Sequence, residues 1–126
     1  MIPKFRAYHK ELKMMFEVKS LVYTLRLARL TNRNDLVPSR TCSFDDIILM
    51  QSTGLFDKNG VEVFEGDILY YPEQDEDKYG YIEFDKDRLA FVLDNGFEKF
   101  FYGEYGMGYI VGNIYENPEL LEIEND

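Results

Sequence analysis

Few residues in this chain have the type and setting to do chemistry. His9 is the only histidine and lies beside Lys10 and Glu11 in a predicted turn. A general base there would need an orienting partner and a pocket; the neighbouring residues promise neither, so a solvated turn residue is expected. Cys42, between Thr41 and Ser43, has no second cysteine and no positioned base, and reads as an inert thiol. Glu73, Asp75, Glu76 and Asp77 offer hard oxygen ligands, but without the spaced ladder, central glycine and closing glutamate of a calcium loop they read as solvated, and no metal is expected. Asp57 and Asp67 could form an acid/base pair. Their turn-rich surroundings favour another use, capping backbone N–H groups. Gly54, Gly60, Gly66 and Gly112 serve backbone geometry, since no glycine-rich run is followed by Lys-Ser/Thr as phosphate binding would require. No catalytic residue and no cofactor site are expected.

Recognition is better provided for. In Tyr102-Gly103-Glu104-Tyr105-Gly106-Met107-Gly108-Tyr109, glycines alternate with tyrosines, which bring large contact area, a polar tip and few rotors. Tyr102, Tyr105 and Tyr109 are the candidate partner-binding residues, with ordinary packing as the competing use. Arg26, Arg29, Arg33 and Arg40 form the one basic cluster, open to phosphate, to a partner's acidic patch or to pairing within the chain. Residues 1–60 carry ten Lys/Arg against six Asp/Glu, whereas residues 61–126 carry four against eighteen, a balance of −14. Such a half repels phosphate backbones, so nucleic-acid binding is not expected as a general activity. Acidity of this kind either keeps an aromatic-rich protein soluble or imitates a nucleic acid towards a basic partner.

The elements that hold these residues are mostly extended. The 126 residues suit one domain with a hydrophobic core. Ten Tyr and ten Phe with no Trp bias the chain towards strands. A lone cysteine excludes an internal disulfide, and with one histidine it excludes a four-ligand structural zinc site. Without a signal-like start or an apolar run long enough to span, a cytoplasmic setting and no membrane contact are expected. Residues 51–69, QSTGLFDKNGVEVFEGDIL, organise the rest: a hairpin closed by Asp57-Lys58-Asn59-Gly60, then a corner at Glu65-Gly66-Asp67. Ile2 to Val18 reads as two strands about a polar turn. Residues 20–43 are ambiguous: Leu21, Tyr23, Leu25 and Leu27 alternate with Thr24 and Arg26 as in a strand, Leu21, Leu25 and Ala28 also fit one helical face, and strand is favoured because β-rich segments border the region. Pro72 to Lys78 reads as an exposed loop, and Asp94-Asn95-Gly96 as a type I′ hairpin turn. The architecture expected is mainly β, a small SH3-like barrel or bent antiparallel sheet with N-terminal strands packed against it. Within the single domain, residues 1–50 supply the N-terminal strands, 51–118 the barrel-like core and 119–126 a short C-terminal turn. Aromatic-rich edge strands also leave self-association open.

Three blocks, KFRAYHKELKMMFEV, TGLFDKNGVEVFEGDIL and IVGNIYENPELL, resemble the YopX family of phage and prophage proteins. Gly54, Leu55, Asp57, Lys58, Asn59 and Gly60 match its central motif, as do Glu65, Gly66, Asp67, Gly112, Asn113, Ile114, Tyr115, Glu116, Asn117 and Pro118. Tyr8 and His9 depart from the pattern, where Trp and Asp are more usual, and residues 20–48 match nothing in it. The resemblance implies a phage or prophage gene, a mainly β fold and a host-cytoplasmic setting, and carries no established reaction. The expected function is accordingly a non-enzymatic accessory protein that binds another protein, of unknown identity. Nucleic-acid binding through Arg26, Arg29, Arg33 and Arg40, or acidic mimicry of a nucleic acid, is the alternative.

Overall fold

A computed structural model of the chain describes residues 4–32, 38–101 and 108–122. It is mainly β, and the described strands form two antiparallel sheets and not a closed barrel. Contacts divide the chain into two compact units, Met1–Ser52 and Thr53–Asp126.

In the first unit β1 (Phe5–His9), β2 (Met14–Val22), β3 (Leu27–Thr31) and β4 (Arg40–Ser43) make a meander, and β5 (Ile47–Phe56) adds beside β1, giving the order β4-β3-β2-β1-β5. Register decides which side chains are buried, since residues opposite one another share a face and successive residues alternate. Ala7 lies opposite both Phe16 and Leu49, and Ala28 lies opposite Cys42. These positions, with Leu30 and Ile47, form one apolar cluster. The alternation of residues 21–27 does not continue as one strand. Tyr23–Leu25 is a single 3-10 turn, closed by Arg26 at φ 53°, because β3 has to fold back on β2.

His9 departs from expectation. It is buried, its Nδ1 accepts the Leu12 N–H at 3.1 Å, and its ring meets the edge of Phe16 at 6.3 Å. The imidazole thus braces the β1–β2 turn from inside, where its apolar body packs and its one polar acceptor finds an amide.

In the second unit the end of β5 pairs with β6 (Glu62–Phe64). Glu65-Gly66 then turns the chain into β7 (Asp67–Glu73), which belongs to the other sheet. Gly66 takes φ 85°, a left-handed value that a side chain would strain. The second sheet runs β10-β9-β8-β7-β11, with β8 at Glu76–Asp85, β9 at Ala90–Asp94, β10 at Lys99–Phe101 and β11 at Tyr109–Asn113. Val63, Leu69, Tyr71, Ile82 and Leu93 form its core; each such burial stabilises the fold by about 1.5–3 kcal/mol. A 3-10 turn, Pro118–Leu121, follows β11 and packs on β8.

Two hairpins differ from the sequence reading. Pro72 to Lys78 is no loop: β7 and β8 pair out to Glu73 and Glu76, joined by Gln74 and Asp75 at φ 52° and 63°. Two consecutive left-handed residues make a type I′ closure without glycine. The hydroxyl of Tyr70 donates to Asp77 Oδ1 at 2.7 Å and helps to hold the acidic ladder in register. At Asn95-Gly96 a hairpin does form, but Asp94 pairs with Lys99, so four residues lie between the strands. Only Gly96 has positive φ; the asparagine is used through its side chain, as described below.

Candidate partner-binding site

The motif residues come together in the second unit as a network of side chains that serve backbone. Asp57 is buried, and its Oδ1 accepts the N–H groups of Asn59 at 2.9 Å and Val61 at 2.8 Å. Its Oδ2 reaches across the unit to the N–H of Ile110 in β11 at 3.0 Å. Beside it the N–H of Lys58 donates to the Gly108 carbonyl at 3.0 Å. Burial pushes the Asp57 carboxyl up, but the amides of Ile110, Val61, Asn59 and Gly60 outweigh this and hold it below its ordinary value. Asp67, also buried, accepts the Phe64 N–H at 2.8 Å and spans the Glu65-Gly66 corner. It lies opposite Asn113 in β11.

Asn113 Oδ1 accepts from Tyr115 N at 3.0 Å and Glu116 N at 2.9 Å, while its Nδ2 donates to Glu116 Oε1 at 2.8 Å. The N–H of Ile114 donates to the Gly66 carbonyl, tying this turn to the corner. Gly112 is fixed by space: an added Cβ would lie 2.5 Å from Asn117 Oδ1, the atom that accepts the Asn113 N–H at 3.2 Å. Pro118 starts the 3-10 turn after it. Asp57, Asp67 and Asn113 are each taken up by backbone amides, so the pairing of Asp57 and Asp67 for acid/base work gains no support.

The other sequence candidates are dispersed. Tyr102 and Tyr105 lie outside the described residues, as does Arg33. Tyr109 is half-buried in β11 with Lys58 Nζ 5.5 Å above its ring. Arg26 pairs with Asp45 at 2.7 Å and stands over the Phe44 ring. Arg29 lies opposite Thr41 and Arg40 opposite Leu30, so strand alternation puts these two arginines on opposite faces. Cys42 is buried in the first core; burial pushes its thiol up and Asp46 adds to this against the pull of Arg40, which makes it a poor nucleophile. Among the described residues no group of three or more His, Cys, Asp or Glu is placed to hold a metal ion, and no helix is long and apolar enough to cross a membrane.

A surface that the sequence reading missed lies at the end of β9 and β10. Asn95 Oδ1 accepts the N–H groups of Phe97 at 2.9 Å and Glu98 at 2.8 Å, its Nδ2 donates to the Tyr71 hydroxyl at 3.3 Å, and Asp94 Oδ1 accepts the Gly96 N–H at 2.8 Å. This braced turn presents Phe97, 80% exposed, and β10 behind it presents Phe101, 45% exposed. Beside Phe97 opens a groove of about 570 Å³ lined by Arg88, Asp94, Gly96, Phe97, Glu98 and Lys99. The lining residues are tied into a polar network with residues outside the groove. Tyr81 donates towards Glu83 Oε2 and Asp94 Oδ2, each at 3.3 Å, and burial with these two carboxylates pushes its hydroxyl up to about 12. Lys99 pairs with Glu83 at 3.1 Å, and Arg88 with Asp85 at 2.9 Å. The one signal for this site in the sequence is a phenylalanine directly after Asn-Gly, where a turn would ordinarily be polar.

Against known proteins, the family model described as YopX protein matches residues 4–122. The chain is also similar to a solved structure, protein EF1440 from Enterococcus faecalis, with 30% sequence identity, a TM-score of 0.66 and coverage of 96% of this chain and 99% of that one. A comparison with curated proteins finds no match.

Proposed function

The chain belongs to the YopX protein family, and from that premise we propose that it is a phage or prophage accessory protein of the host cytoplasm that acts by binding another protein and performs no catalysis. The observation that carries this reading is Phe97. A large aromatic ring stands four-fifths in water on a turn held by the side chains of both Asp94 and Asn95. Exposing a phenylalanine gives up about 1.5–3 kcal/mol of burial, and bracing the backbone that carries it removes part of the freedom that binding would otherwise have to overcome. Exposed aromatics on a fixed backbone anchor protein interfaces. Conversely, the buried carboxylates of the family motif are occupied by amides, which supports a structural role for them. Nucleic-acid binding through the arginines receives less support, because Arg29 and Arg40 face opposite ways and Arg26 is already paired.

The test is quantitative affinity capture from cells carrying the phage or prophage. A near-stoichiometric protein partner should be retained by the wild type and by a Leu25→Ser control, and lost with Phe97→Ser. Recovery of the bait alone, or equal recovery with Phe97→Ser, would overturn the reading.

A further inference from the structure

The groove beside Phe97 also specifies the chemistry of what enters it. Two cations line it, but each is engaged by a carboxylate that is not part of the lining: Arg88 by Asp85, and Lys99 by Glu83. The two lining carboxylates are less fully balanced. Asp94 accepts from Gly96 and Tyr81 and attracts Lys99. Glu98 is exposed, and among the described residues no cation pairs with it. The lining alone holds two cations against two carboxylates; with Asp85 and Glu83, which pair with those cations from outside the groove, the set carries an excess of negative charge beside an aromatic ring. The surroundings reinforce that sign, since residues 53–126 hold five Lys/Arg and nineteen Asp/Glu. β10, which forms the rim, is a terminal strand of its sheet.

Resting on the protein-binding reading, we infer that this groove receives an arginine or lysine side chain from an extended basic segment of the partner. The cationic head sets against the Glu98 carboxylate and the Phe97 ring, while the aliphatic stem covers the ring's edge. Carboxylate and aromatic face together attract a cation more strongly than either alone. An extended segment running along the sheet's margin brings alternate side chains to the same side, so one lies in the groove while the next points away. Segments of this composition are also those with which proteins grip phosphate backbones. Occupancy of the groove would therefore compete with nucleic acid for the partner.

The experiment uses the full chain, isotopically labelled, titrated with a short synthetic peptide of alternating arginine and valine and, separately, with its glutamate counterpart. Amide shifts should concentrate on Asp94 to Lys99 with the arginine peptide alone and weaken as salt is raised. Glu98→Lys should loosen binding on the order of tenfold, with the rest of the amide spectrum unchanged as proof of folding. Shifts spread over every acidic surface, including the β7–β8 tip, with no response to Glu98→Lys, would overturn the inference, as would no shifts at all. A cellular partner that depends on Phe97 yet binds Glu98→Lys equally well would leave the protein-binding reading standing and remove this one.

Discussion

The second sheet has two margins, and they are treated in opposite ways. At β11 the outward N–H of Ile110 and the carbonyl of Gly108 are both occupied, by Asp57 and by the amide of Lys58. At β10 the chain presents Phe101 and the braced Phe97, with a polar groove beside them. Sheet margins are where strands from other molecules attach, and proteins ordinarily blunt them. The same local device, an Asp or Asn side chain accepting amides two to four residues on, works at both. In one place it reaches on into the interior and closes a margin; in the other it holds an aromatic ring in water. A side chain that caps a turn therefore says little about function until what the turn faces is known.

Substitutions at the closed margin should hurt stability far more than removing the exposed ring at the open one. Asp57→Ala leaves the amides of Asn59, Val61 and Ile110 without their acceptor, and should lower stability by roughly 2–4 kcal/mol in urea denaturation. Gly112→Ala forces a Cβ into Asn117 and should cost about 2 kcal/mol. In an Asn117→Gly background the same change should cost far less, a coupling that a double-mutant cycle measures. Acid gives a gentler probe. The folded chain holds the Asp57 carboxyl below its ordinary value of 3.8, so the stability it confers is complete above about pH 4 and lost as pH falls through the folded value. Stability measured by denaturation should fall more steeply below about pH 4 in the wild type than in Asp57→Asn, all other carboxylates being common to both. Phe97→Ser should have the smallest effect of the series, within about 0.5 kcal/mol; a larger loss would mean that the ring is part of the fold, and the contrast between the margins would fail.

Much of the fold was legible because its punctuation is local. The Asp57 to Gly60 turn, the Gly66 corner and the strands on either side of them follow from residue type at short range. The division of the strands between two antiparallel sheets was not, because whether a strand continues into one sheet or crosses to another depends on pairings many residues apart, such as Asp67 with Asn113. His9 was misplaced for a related reason: its neighbours Lys10 and Glu11 are polar, but its own side chain lies on the apolar face opposite Met14. Gln74-Asp75 concealed a tight closure because neither residue advertises left-handed backbone, and the Tyr70–Asp77 bond that supports it is invisible in composition. For the site, the sequence offered Tyr102, Tyr105 and Tyr109. Of these, Tyr109 is the one described, and it lies half-buried with Lys58 over its ring, whereas Phe97 stood out only by falling where a turn should be polar.

The pairing of β7 with β11 bears on how the chain comes off the ribosome. In the first unit β1 to β4 each pair with a strand adjacent in sequence and can assemble while synthesis continues, although β1 also waits for β5, where Phe5 meets Gln51. β7 gains β8 almost at once, yet its other flank waits until Asn113 has emerged. A nascent chain stalled in that interval carries an unguarded strand of Ile68, Leu69 and Tyr71. Slow codons or a chaperone hold acting between β7 and β11 would thus change the yield of native protein.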